Sequence, residues 1–190
     1  MKKIIAGVDE VGRGSLIGPV YAAAVILNKN INKKKLKDSK KLSKKNREVL
    51  YNYIKKNSIY AVGSASLNEI EKQNILNASL LAMKRAVKKL EKKPTLVLVD
   101  GNKTPKINYY KVKNIIKGDE KIPEISAASI IAKVSRDRLI TKLSKKFNKY
   151  LWDKNAGYGT KKHIQAIKKF GVTKHHRKTF EPIHNILSLK

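Results

Sequence analysis

The sequence predicts a single α/β domain, and three observations predict it. Five stretches read as strands: the apolar runs from Ile4 to the first glycine turn, 20–27 and 95–99, the loosely alternating 59–66, and a fifth candidate at 112–116. Stretches with helical spacing fall between and after them, at 43–55, 74–90, 124–146 and 161–170. A length of 190 residues suits one compact domain with a sizeable core and is short for two. Strands interleaved with helices around one core make a layered α/β arrangement. We expect a main domain over 1–150 and a C-terminal helical segment, 151–190, packed on it.

The elements follow in order. Residues 3–28 read as two strands joined by a glycine turn, antiparallel because the connection is short. Residues 28–37 form a lysine-rich loop, and Ser43 is placed to cap the first helix. Between 74 and 90 the apolar positions Leu76, Leu80, Met83, Val87 and Leu90 step by four and three, a core-facing helical stripe. Pro94 stops that helix, and the continuous run 95–99 reads as a strand buried on both faces that ends on Asp100. After Pro123 a long helix carries the small residues Ala127, Ala128 and Ala132, which allow it to lie close to a sheet. Asp137 on that helix reads as a surface ion-pair partner, and His175-His176-Arg177 reads as a surface or phosphate-contacting basic stretch.

Composition narrows the function. Lys plus Arg number 44 against 14 for Asp plus Glu, a net charge of +30, which favours a polyanionic partner. Only six of the 44 are Arg, and a lysine bias of that kind also arises from AT-rich coding sequence, so the charge permits nucleic-acid binding without requiring it. The absence of cysteine excludes disulfides and cysteine-ligated zinc and fits a reducing compartment. No apolar run approaches the roughly 20 residues that cross a bilayer, so a soluble, cytoplasmic protein without a membrane partner is expected. Neither a Gly-x-Ser-x-Gly elbow nor a Gly-x-x-x-x-Gly-Lys-Ser/Thr loop is present, which argues against a serine hydrolase and a P-loop ATPase.

The informative feature is where the few acids fall. Asp9 and Glu10 end the first strand and Asp100 ends the fourth, while Asp119 follows a glycine turn. Taken singly, Asp9-Glu10 is a strand cap and Asp100 a cap for the Gly101-Asn102 turn. Jointly, carboxylates at the ends of two strands converge if the strands are neighbours, and oxygen ligands of this kind suit Mg²⁺ or Mn²⁺. Two such ions about 4 Å apart activate water and stabilise a leaving oxygen in phosphodiester hydrolysis.

Asp9-Glu10 is followed by Gly12-Arg13-Gly14 and Gly18-Pro19. Further on come Asp38-Ser39-Lys40-Lys41-Leu42-Ser43, Val99-Asp100-Gly101-Asn102, Lys117-Gly118-Asp119, Ser126-Ala127-Ala128-Ser129 and Gly157-Tyr158-Gly159-Thr160. That succession, spanning nearly the whole chain, resembles ribonuclease HII, the type 2 branch of the ribonucleases H. The resemblance implies a ribonuclease H-like fold: a mixed five-stranded sheet flanked by helices, with a C-terminal helical appendage. It implies that Asp9, Glu10, Asp100 and Asp119 are catalytic and bind two divalent metal ions, Mg²⁺ or Mn²⁺. It selects Asp119 over nearby Glu120, Glu124 and Asp137. It also implies that the backbone of Gly12, Arg13 and Gly14 contacts a ribose 2′-OH and that Tyr158 packs on the following deoxyribose. Lys40, Lys41 and Ser126 are implied as further substrate contacts. Asn155-Ala156 stands before Gly157-Tyr158 where many relatives carry His-Lys.

The expected function is therefore endonucleolytic cleavage of the RNA strand of RNA/DNA hybrids and incision 5′ of ribonucleotides embedded in duplex DNA, leaving 3′-OH and 5′-phosphate. The partners are those two nucleic acids, and a monomer is expected. Ribonuclease HIII is a neighbouring family, from which Arg13 and the start of the chain two residues before its first strand distinguish this sequence. A non-catalytic basic nucleic-acid-binding domain explains the charge equally well, but not acids at motif positions that would repel a phosphate without metal. A carboxylate nuclease such as a junction resolvase is the weaker third reading.

Overall fold

A computed structural model describes residues 3–36 and 42–188. Lys40, Lys41 and the rest of 37–41 lie outside the described residues. In chain order the strands are β1 (Ile5–Val11), β2 (Val20–Leu27), β3 (Ser58–Ala65), β4 (Leu96–Asp100) and β5 (Lys111–Ile115). The helices are α1 (Lys44–Lys56), α2 (Leu67–Lys88), α3 (Gly118–Lys121), α4 (Pro123–Lys146), α5 (Trp152–Asn155), α6 (Lys161–Phe170) and α7 (Ile183–Ser188).

The five strands form one mixed sheet in the order β3-β2-β1-β4-β5. β1 pairs antiparallel with β2 through the short glycine turn, β2 antiparallel with β3, and β4 runs parallel to both β1 and β5. The period of two along a strand divides β2 between two cores. Ala22, Ala24 and Ile26 pack with Ala78, Ala82, Ala86 and Val87 of α2, whereas Ala23 and Val25 face Leu50 and Ile54 of α1 and Ala127, Ile130, Ile131 and Val134 of α4. The sheet is thus covered on both faces, which is why its interior strands read as continuous apolar runs. A third cluster joins the C-terminal segment to the rest: Trp152, Ile167 and Ile183 pack with Leu16, Ile17 and Ile140.

Helix ends follow local chemistry. Ser43 caps α1 by accepting the Asn46 N–H, Thr160 caps α6 by accepting that of His163, and Pro123 occupies the first turn of α4, where its missing N–H costs nothing. α2 begins seven residues earlier than the periodicity indicates. Ser66 and Glu69 form a reciprocal capping box at its start, and Asn74 interrupts the helix at φ 66° and ψ 168°. The Asn74 side chain then accepts the N–H of Asn77, so the expected start at 74 is the start of the second segment.

α4 is laid against β1 at close range. A Cβ on Gly7 would stand 2.0 Å from the backbone carbon of Glu124, so only glycine permits the approach. Near the far end of β1, the side chain of Arg136 fills the space over Gly12. Five residues of strand and about eleven of helix each advance roughly 16 Å, so helix and strand stay in step along the whole contact.

Candidate active site

Val8 pairs with Val99 in the parallel β1–β4 ladder, so the next residue on each strand, Asp9 and Asp100, emerges at the same edge of the sheet. Asp100 also pairs in register with Ile115 of β5. The chain then bends at Lys117, in the left-handed region at φ 54°, and the Gly118 N–H donates to Asp100 Oδ1 at 2.6 Å. That bond draws the start of α3 onto the end of β4, and Asp119, which is 7% exposed, is the next residue of α3. Glu10 follows Asp9 at the mouth, with its Oε1 3.3 Å from Arg13 Nη1.

The electrostatics show what this grouping costs. Burial holds the Asp9 carboxyl well above the usual carboxylate range, and the charges of Glu10 and Asp100 push it further. Hydrogen bonds from Ser129 and from the Glu10 N–H oppose the rise. Burial raises Glu10 as well, Asp100 adds to the rise, and Arg13 counters it. Mutually repelling carboxylates gathered at one sheet edge form an all-oxygen donor set, the chemistry that hard divalent cations require. Among the described residues no group of three Asp, Glu or His side chains is placed to hold a metal ion.

Beside the acids lies the loop after β1. Gly12 takes φ +90°, and Arg13 and Gly14 are exposed. Tyr158 stands opposite: Ser15 and Tyr158 form an isolated antiparallel bridge, Leu16 N–H donates to Gly157 O at 2.8 Å, and a Cβ on Gly14 would lie 3.9 Å from Tyr158 Cε1. Lys133 Nζ and Arg136 Cζ each lie 5.8 Å from the centre of the tyrosine ring, which places positive charge around it. Asn155 shapes the turn that presents Tyr158 by accepting the Gly157 N–H and donating to Tyr150 O.

Ser126, expected as a substrate contact, lies in the first turn of α4. It is 3% exposed and its hydroxyl donates to the Leu36 carbonyl, which makes it a brace beneath the Lys33–Leu36 turn. Ser129, three residues on, is the serine that reaches Asp9. Asp137 does form a helix-surface ion pair, with Lys133 at 3.0 Å. Its neighbour Arg136 is fully buried.

Four buried groups were missed in the sequence. Arg136 donates to Ala156 O and Ile17 O, Arg177 to Gly18 O and Arg13 O, and His176 packs against Trp152 and Tyr150. His163 belongs with them. Trp152 Nε1–H donates to its Nε2 at 2.8 Å, so Nδ1 carries the proton and donates to Tyr158 O at 2.9 Å, fixing the backbone of that tyrosine. For Arg136 a signal existed, because Ala132, Arg136 and Ile140 lie on one stripe of α4 at spacings of four. For Arg177 and His176, set among lysines, no local signal did.

Comparison with known proteins shows the family. The family model described as Ribonuclease HII matches residues 6–183. The Ribonuclease HII of Pelagibacter ubique (strain HTCC1062) is 71% identical over 185 residues, covering 97% of this chain and all of that protein. The crystal structure of ribonuclease H2 from Pyrococcus horikoshii OT3 superposes with a TM-score of 0.81 at 30% identity, over 98% of each chain. A Bst-RNase HIII structure in complex with Mn²⁺ shares the fold, with a TM-score of 0.77 at 18% identity over 98% of this chain and 70% of that one. A match over most of the chain together with such identity means that the chain belongs to the ribonuclease HII family, divalent-metal-dependent endoribonucleases that act on RNA/DNA hybrids.

Proposed function

We propose that this chain incises duplex DNA on the 5′ side of a single embedded ribonucleotide, in addition to cutting the RNA strand of hybrids. The reading assigns Asp9, Glu10, Asp100 and Asp119 as ligands for two divalent ions, Mg²⁺ or Mn²⁺. The observation that carries it is the Val8–Val99 register, which sets Asp9 and Asp100 side by side at the ends of adjacent parallel strands. A domain that only held nucleic acid would gain nothing from buried, mutually repelling carboxylates where phosphates must approach.

The remaining residues divide the work of recognition. Gly12-Arg13-Gly14 offers backbone to the ribose 2′-OH, the group that distinguishes RNA from DNA. Tyr158 packs its ring on the deoxyribose that follows, and Lys133 and Arg136 beside it favour a phosphate. Ser129 and the Glu10 N–H hold the Asp9 carboxylate in one orientation, and the Gly118 N–H does the same for Asp100. Bound divalent ions supply water activation and charge stabilisation at the leaving oxygen. Hydrolysis breaks the bond between phosphorus and the 3′ oxygen of the preceding nucleotide, and a water oxygen takes its place, leaving 3′-OH and 5′-phosphate. Residues 1–150 provide the carboxylates and residues 151–190 the tyrosine, so recognition needs both parts. Lys40 and Lys41 are assigned to phosphates by family resemblance alone.

A duplex carrying one ribonucleotide tests this. With Mg²⁺ or Mn²⁺ a single nick 5′ of the ribonucleotide with a 3′-OH end is expected, and none with EDTA. Metal-independent cleavage or a 2′,3′-cyclic phosphate would overturn the reading. Tyr158→Ala is expected to weaken cleavage at the single ribonucleotide more than cleavage within continuous RNA, where no deoxyribose takes that position; equal losses would make Tyr158 structural.

A further inference from the structure

Arg177 lies beyond α6 in a segment that adds itself to the loop after β1. Its N–H donates to Leu16 O at 2.8 Å, Gly18 N–H donates to His175 O at 2.9 Å, and His176 bridges to Ile17. The side chain reaches further. Nη1 donates to the carbonyl of Arg13 at 2.7 Å and Nε to that of Gly18 at 3.0 Å, so one guanidinium ties both ends of the loop.

This guanidinium is fully buried, between two carbonyl oxygens and the ring of Phe180, whose centre is 4.9 Å from Cζ, with no carboxylate bonded to it. Burial first, and then the nearby Arg136, pull its pKa down to about 9, which shows how unfavourable an environment the charge occupies. A planar fork with donors in fixed directions does there what a single ammonium cannot. The consequence concerns the peptide joining Arg13 to Gly14. In a trans peptide the C=O and the following N–H point in opposite directions. With the Arg13 carbonyl turned inward to Arg177, the Gly14 N–H is turned outward, to the exposed side of the loop that faces Tyr158.

Arg136 sets the other dimension. It donates to Ile17 O in this loop and to Ala156 O in the turn before Tyr158, at 3.2 and 3.1 Å. The distance between loop and tyrosine is therefore fixed from inside the protein.

We propose that Arg177 is a positioning residue for ribonucleotide recognition, holding the Arg13 carbonyl inward so that the Gly14 N–H meets the 2′-OH at a set distance from Tyr158. The proposal rests on the reading above that Gly12-Arg13-Gly14 recognises the ribose. It makes specificity depend on a residue that touches no substrate.

The test compares the KM for a duplex with one ribonucleotide to the inhibition constant of the same duplex made entirely of DNA, in Mg²⁺ or Mn²⁺. Their ratio is the preference for ribose, and it does not depend on the fraction of active protein. Arg177→Met is expected to lower the preference about tenfold, the usual worth of one hydrogen bond to substrate, with inhibition by DNA unchanged. Arg177→Lys keeps the charge and one donor; it is expected to fold and to lose about threefold or more, because it cannot hold both carbonyls. A purely structural role would lower the melting temperature and leave the ratio alone. If Arg177→Met does not fold, Arg177→Lys decides, and wild-type preference in that variant overturns the proposal. A wild-type chain without any preference for the ribonucleotide overturns the reading beneath it instead.

Discussion

Placing a methyl group on Gly12 would set a carbon 2.2 Å from Arg136 Nε and 2.7 Å from its Cδ, at a backbone φ of +90°. Two costs follow. The backbone conformation costs about 1–2 kcal/mol for any residue with a Cβ. Arg136 is the end of a flexible side chain, yet it is fully buried and its two terminal nitrogens are bound to Ala156 O and Ile17 O. Moving it aside forfeits both charge-assisted hydrogen bonds, about 1.5–3 kcal/mol each. The expected loss is about 4–8 kcal/mol, comparable with the whole stability of a typical domain. Gly101→Ala supplies the control: its φ is +94°, but nothing lies within 4 Å of the added carbon, so it should lose only about 1–2 kcal/mol. Urea unfolding of the two variants measures the difference. A Gly12→Ala protein that does not fold is assayed in combination with Arg136→Ala, where the double variant should be no less stable than the worse single one. Equal losses of 1–2 kcal/mol at Gly12 and Gly101 would refute the claim that Arg136 is held rigidly over the loop.

Gly14→Ala separates recognition from folding. Its new carbon meets only Tyr158 Cε1, at an ordinary 3.9 Å, so stability should be unchanged while cleavage at a single ribonucleotide falls; full activity would show that no close approach occurs there. A second expectation concerns pH. Burial, with His163 and His175 nearby, holds His176 down to about 4, below its ordinary value of 6.5, so the unfolded chain binds the proton first as pH falls. Stability from this group is complete above pH 6.5 and is lost between 6.5 and 4, by about 3 kcal/mol. Subtracting the pH profile of His176→Asn, which keeps an acceptor for the Thr173 N–H, isolates the effect from that of the raised carboxylates; identical profiles would contradict it.

The interior strands β1, β2 and β4 were legible because they are buried on both faces and therefore read as unbroken apolar runs, whereas the exposed edge strand β5 carries two lysines and an asparagine. α4 and α6 were legible for the opposite reason, a helical period with clear ends at Pro123 and Thr160. The first segment of α2 was not, since its apolar stripe starts only beyond Asn74, although Ser66 and Glu69 carried a capping box. Around the site, the carboxylates were readable from their place at strand ends, because the parallel β1–β4 register needs only that the two strands be neighbours. Arg136 was signalled only by its place on the Ala132–Ile140 stripe of α4, and Arg177 and His176 were not readable as buried at all. Their sequence neighbours are lysines and aspartate, and only the return of the C-terminal segment to the loop after β1 takes them out of water. Arg177, whose carbonyl partners Arg13 and Gly18 lie more than 150 positions away, has no local signature.

The carboxylate set itself can be tested by titrating Mg²⁺ or Mn²⁺ calorimetrically into the wild-type chain, Asp9→Asn and Asp100→Asn, and measuring cleavage on the same samples. Both variants should fold, and Asp9→Asn should gain stability because it removes one of several buried like charges. Metal binding should weaken, and cleavage should fall by more than the roughly 10–100-fold typical of changes outside the ligand set. Asp137→Asn, whose carboxylate pairs with Lys133 on α4, should bind and cut like the wild type. Near-normal turnover by Asp9→Asn or Asp100→Asn at saturating metal would contradict the claim that the ends of β1 and β4 hold the ions on which cleavage depends.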